Sequence, residues 1–151
     1  MQVAQLPYLD EHATTIDASV DAVWRVLIDV VDRGFSRIGG ASFARALACE
    51  DRTASGPRPL AEGSTIPGFH VVAAVPGVEL VLEGSHRFSS YALIFRLEQL
   101  DADRSRLSAE SRAAFPGVGR VYRLLVVGTG GHVVAVRRLL ARVKRRSAPR
   151  V

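Results

Sequence analysis

Two histidines carry the clearest chemical potential in the sequence. His86 falls at the end of a run of alternating residues, on the same side as Leu80, Leu82 and Gly84. His132 lies near the middle of an apolar helical stripe. An imidazole in an apolar setting exchanges a proton near neutral pH, so both are acid–base candidates, with the Tyr122 hydroxyl as a third. The plainer alternative is a core histidine satisfied by a backbone carbonyl. Ser111 shares the inward parity, but the sequence shows no histidine-and-acid arrangement beside it, so a nucleophilic triad is not expected. Glu79, Glu83 and Glu110 alternate to the other side, near Arg87, Arg106 and Arg112, and read as solvated cross-strand ion pairs. Cys49 is the only cysteine, which excludes an internal disulfide, and it reads as a small core residue. Gly128-Thr129-Gly130-Gly131 follows no strand and lacks a lysine, so it is no phosphate loop. Neither a metal site nor a cofactor is expected.

These side chains need elements to position them. Glu11–Asp17 reads as an entry strand, followed by Ser19 as N-cap and Asp21 in a first helical turn. Val20, Val23, Trp24, Leu27, Val30 and Val31 then recur at helical spacing, and Gly34 closes that helix. Trp24 belongs to this stripe and is expected to be largely buried. A weaker helical piece is expected between Ser36 and Ala48, and residues 51–63 read as a loop rich in glycine and proline.

From Ser64 the period becomes two. Thr65–Val75, Val78–Arg87, Tyr91–Leu100 and Arg106–Phe115 read as strands. Pro76-Gly77, Phe88-Ser89-Ser90 and Asp101-Ala102-Asp103 are turns of hairpin length between them, giving an antiparallel meander. One face of it collects Leu80, Leu82, Tyr91, Leu93, Phe95, Ala109 and Ser111 and must be covered. Gly117–Arg146 reads as one long amphipathic helix whose stripe of Val121, Leu125, Gly128, His132, Val136, Leu139 and Val143 supplies the cover. Glycines at 128, 130 and 131 mark a place for that helix to kink.

Composition bounds the rest. The chain has 151 residues, 48% hydrophobic and 23% charged, as expected of one ordinary folded domain with residues 147–151 as a disordered tail. The longest strongly apolar stretch, Leu124–Val136, is too short to span a bilayer, and the N-terminus lacks the basic start of a secretory signal, so a cytoplasmic location is expected. The net charge of +5 is uneven, because residues 117–151 hold nine basic residues and no acidic one. A segment of this kind attracts nucleic acid, acidic lipid or acidic protein; the expectation here is a solvated helix face against an acidic body, with no nucleic-acid partner and no stable membrane insertion.

The order of strand, helix, antiparallel meander and long C-terminal helix resembles the START-like or SRPBCC superfamily, which includes bacterial polyketide cyclase/dehydrase-type proteins. The match is strongest from His12 to Asp29, through Ala18-Ser19 and Trp24. Leu60-Ala61-Glu62-Gly63-Ser64 is similar to the opening of the family's next strand, and Tyr91–Leu97 to one of its central strands. Residues 32–59 depart from the family's pattern. The resemblance implies an α+β helix-grip fold, a curved antiparallel sheet around a long C-terminal helix with one or two short helices after the first strand. It also implies a largely apolar cavity for a hydrophobic or aromatic small molecule. On the sheet side the lining would be Phe69, Leu82, Tyr91, Leu93, Phe95, Ala109 and Ser111; on the helix side, Leu125, Gly128 and His132. Three functions fit: a carrier or sensor of such a ligand, a cyclase-type enzyme using His132, His86 or Tyr122, and a protein-interaction module on the basic helix. Either a monomer or a homodimer is compatible with all three.

Overall fold

The computed structural model describes residues 3–35, 53–86, 89–115 and 131–149. After a short 3-10 turn (Val3–Gln5), the chain forms β1 (Tyr8–Ile16) and α1 (Val20–Phe35). β2 (Thr65–Ile66), β3 (Phe69–Val75), β4 (Glu79–His86), β5 (Ser89–Asp101) and β6 (Arg104–Ala114) follow, then α2 (Gly131–Ser147). The six strands form one antiparallel sheet in the order β1-β6-β5-β4-β3-β2, so the entry strand closes the sheet beside the last one. The fold class is the expected α+β helix-grip arrangement.

α1 forms for the reasons read from its sequence. The Ser19 hydroxyl accepts the Ala22 amide at 3.3 Å, and Asp21 sits at the positive end of the helix. The Gln99 side-chain oxygen accepts the Val20 amide, satisfying another free donor from across the sheet. Val23, Leu27, Ile28, Val30 and Val31 are buried, and Trp24 is partly buried and packed against them. The helix also continues past Gly34 to Phe35.

α2 packs on α1, β1 and β6, burying Val136, Leu140 and Val143. Arg146 reaches Asp29 of α1 at 2.8 Å, and Arg33 takes the other oxygen of the same carboxylate at 2.9 Å. The Arg146 hydrogen bond, with both positive charges, holds the Asp29 carboxyl below its ordinary range. Arg137, Arg138, Lys144 and Arg145 are exposed, as a solvated face requires. The part of the long helix expected before residue 131 and the helical piece expected over 36–48 lie outside the described residues.

Three strand expectations need correction. Thr65–Val75 is two strands, because Pro67-Gly68 makes a tight turn with Gly68 at φ +91°. Ser89 and Ser90 are strand residues: β4 and β5 pair to His86↔Ser89, which leaves two residues for the connection. The convex side of the sheet is not simply solvated. Glu83 and Glu110 are each 6% exposed, and Val81, Ala92, Ile94 and Ser108 are buried beside them. Arg96 and Arg112 lie over this side and close on Glu110 from two directions, at 3.0 and 3.1 Å. Arg112 also donates to the Leu6 carbonyl, tying down the N-terminal segment. Burial pushes the Glu110 carboxyl up, but the hydrogen bonds and charges of both arginines outweigh it, so its pKa lies below the ordinary value. A lowered folded pKa stabilises the protein above the unfolded value, about 4.3, and that contribution disappears as pH falls through the folded value. Glu110→Gln is therefore expected to cost about 1–2 kcal/mol at pH 7 and progressively less below about pH 4. Urea denaturation of both proteins across this range measures it; a penalty that stays constant with pH would contradict the assignment.

The β1–β6 ladder contains one irregularity. Tyr8 pairs with Arg112, whereas Asp10 pairs with Ser111, so Leu9 is an extra residue in β1. From Asp10 onward the pairing is regular to Ile16↔Ser105.

Candidate ligand-binding site

The inner face of the sheet, toward the helices, is built in rows by strand register. One row runs Val71, Leu82, Leu93, Ser111, Asp10 across β3, β4, β5, β6 and β1. The next runs Ala74, Leu80, Phe95, Ala109, His12. Each row is apolar through β3, β4 and β5. The Leu82 row turns polar at Ser111 and Asp10, and the Phe95 row at His12. The face thus has a polarity gradient along the sheet, set by which strand contributes the side chain.

Leu82, Leu93, Phe95, Ala109 and Ser111 are all buried on this face. Phe69 and Tyr91 are on it too, but only half-buried. They stack edge-to-face with ring centroids 5.1 Å apart, and Phe35 at the end of α1 stacks on Phe69 at 5.0 Å. The Tyr91 hydroxyl donates to the Gly68 carbonyl at 2.6 Å, which fixes the ring across the β2–β3 turn. Gly84 lies beneath that ring. A Cβ there would meet the Gly68 carbonyl oxygen and stand 2.6 Å from Tyr91 Cε2. The close approach, not a turn, is what requires glycine at this position.

The polar end was missed in the sequence. Ile16 is wholly buried, and its strand parity carries Thr14, His12 and Asp10 to the same face. His12 Nε2 is 3.5 Å from Asp10 Oδ2, within ion-pair distance but without a hydrogen bond. Asp10 stands directly opposite Ser111, which is 3% exposed. The Ser111 Oγ and the His12 Nε2 are buried and have no hydrogen-bond partner among the described residues. The fold thus brings an acid and a histidine to the β1 positions opposite and diagonal to Ser111, but no hydrogen bond joins serine and histidine into a triad. The pairing that assembles them joins residues about a hundred positions apart, which local spacing cannot show. Parity counted back from Ile16 was the available signal.

Of the proposed catalytic residues, His86 lies in β4 opposite Ser89, and His132 lies at the start of α2. Tyr122, Leu125, Gly128 and Cys49 lie outside the described residues. Among those described, no group of three histidine, cysteine or acidic side chains could hold a metal ion, and no helix is long and apolar enough to cross a membrane.

No protein-family model matches the chain, and no curated protein matches it in sequence. Solved structures do match in shape. The Zhui aromatase/cyclase from Streptomyces sp. R1128 has a TM-score of 0.57 at 17% identity, covering 94% of this chain and 96% of its own. Norcoclaurine synthase from Thalictrum flavum, solved as a point mutant with a transition-state analogue, gives 0.55 at 14% identity, with 95% and 97% covered. A conserved protein from Geobacillus kaustophilus gives 0.55 at 12% identity, with 91% and 93% covered. Likeness over nine-tenths of each chain at such low identity is likeness of architecture, and it agrees with the strand order and helix placement: this chain shares the helix-grip fold of these structures.

Proposed function

We propose that the protein binds a hydrophobic, ring-containing small molecule against the inner face of its sheet. The supporting observation is the aromatic group of Phe35, Phe69 and Tyr91, held edge-to-face by a hydrogen-bonded turn yet only half-buried on the side where a core is normally closed. Partly exposed aromatic side chains on the inner face of a sheet are a common element of a small-molecule site. The buried floor of Leu82, Leu93, Phe95 and Ala109 continues it. Leu125, Gly128 and His132 are assigned to the helix side by the sequence stripe alone. The ligand is a small molecule, and neither nucleic acid nor membrane insertion is part of the function.

N-phenyl-1-naphthylamine, a neutral apolar fluorophore, is expected to bind with saturation near one per chain. Phe69→Ala should weaken it about tenfold, the loss from removing one well-placed aromatic contact. A titration that rises linearly without saturating would refute the proposal. A cyclase-type enzyme is the second reading, favoured by one observation: an imidazole and a carboxylate, His12 and Asp10, share the face on which the ligand would lie.

A further inference from the structure

We propose that Asp10, His12 and Ser111 form a polar subsite that receives a hydroxyl group of the otherwise apolar ligand. The inference rests on the binding proposed above and specifies its ligand. Burying a polar atom without a partner is costly, and folded proteins rarely tolerate it without a reason. Here two such atoms, Ser111 Oγ and His12 Nε2, fall on neighbouring rows of one face. In an antiparallel pair, directly opposed Cβ atoms are about 5 Å apart and diagonal neighbours about 7–8 Å. Asp10 is opposite Ser111, and His12 is its diagonal neighbour. A single ligand atom between Ser111 and His12 is therefore in reach of both side chains.

The chemistry of the pair selects the group. Serine offers one donor and two acceptor positions, and a neutral imidazole nitrogen is donor or acceptor according to tautomer. An alcohol or phenol both donates and accepts, so it satisfies Ser111 and His12 whichever tautomer is present. A carboxylate only accepts, so unlike a hydroxyl it cannot satisfy the imidazole nitrogen in both tautomers. The gradient along the sheet sets the orientation: rings against Leu82 and Leu93, hydroxyl toward β6 and β1.

The test compares 2-naphthol with 2-methylnaphthalene, which exchanges the hydroxyl for a methyl of similar size, each displacing N-phenyl-1-naphthylamine. The quantity read is the ratio of the two affinities in the wild-type protein and in Ser111→Ala and His12→Phe. Each substitution is expected to shift that ratio about tenfold against the naphthol, as loss of a buried hydrogen bond would. A ratio moving less than twofold in both variants overturns the subsite while leaving apolar binding intact. If neither compound displaces the probe although the probe binds, the subsite also fails. If the probe itself does not bind, the proposed function fails first. The free Ser111→Ala protein should melt at the same temperature as wild type or higher, because a buried unpartnered hydroxyl is removed. A drop of several degrees would mean that the hydroxyl has a structural partner, and would count against the proposal.

Discussion

Gly84→Ala is expected to lower the melting temperature by about 10 °C, from a loss of roughly 2–4 kcal/mol. The new methyl would run into the Gly68 carbonyl oxygen and into the Tyr91 ring at Cε2 and Cζ. The ring cannot simply swing away, since its hydroxyl is bonded to that same carbonyl and its edge packs on Phe69. Relief therefore requires moving the β2–β3 turn, which sacrifices the hydrogen bond, or moving the ring, which opens the aromatic group. Tyr91→Phe separates the two contributions: it removes the hydrogen bond alone and should cost about 1 kcal/mol. Thermal melts of the two single variants and the double variant decide the matter. A Gly84→Ala protein as stable as wild type would show that the turn yields freely.

Phe95→Ala should cost about 3–5 kcal/mol, the range for deleting a large ring from a close-packed interior. Phe95 is 1% exposed and sits between Leu80 and Ala109 in the row that ends at His12. Urea denaturation gives the value. It also reports on the floor of the proposed site, because the cost of truncation depends on how tightly the surroundings enclose the side chain. A loss below about 1 kcal/mol would mean that this ring already borders open space, contrary to its place in the core.

Some elements were legible in the sequence because their determinants are local. The alternation through Leu80, Leu82, Leu93, Phe95 and Ala109 identified the inner face, and each of these residues is buried on it. Ser19, Asp21 and the apolar stripe behind them located α1. The break at Pro67-Gly68 was also local, but it stood inside an otherwise convincing strand pattern and was read through. The polar end of the face was different in kind. Asp10 and His12 gain their meaning from pairing with β6, and the antiparallel register that brings Ser111 to them follows from the first strand pairing with the last at the edge of the sheet. Glu110 shows the same limit on the other side. Its alternation correctly pointed it away from the helices, but its burial depends on two long arginine side chains that fold over it.

The extra residue in β1 bears on how this chain should be matched to its structural neighbours. A residue inserted into a strand normally turns over every side chain on one side of it, which is why such insertions rarely survive. Here the insertion is absorbed at Leu9, so the two sides of it count parity from different origins. Tyr8 faces out beside Arg112 and is 57% exposed, while Asp10 and His12 face in. Against a strand that lacks such a bulge, an alignment that runs through Leu9 without a gap would misplace either the segment before it or the one after. In that comparison a one-residue gap at Leu9 keeps the inward positions of β1 in correspondence, so that the residues facing Ser111 and Ala109 can be matched.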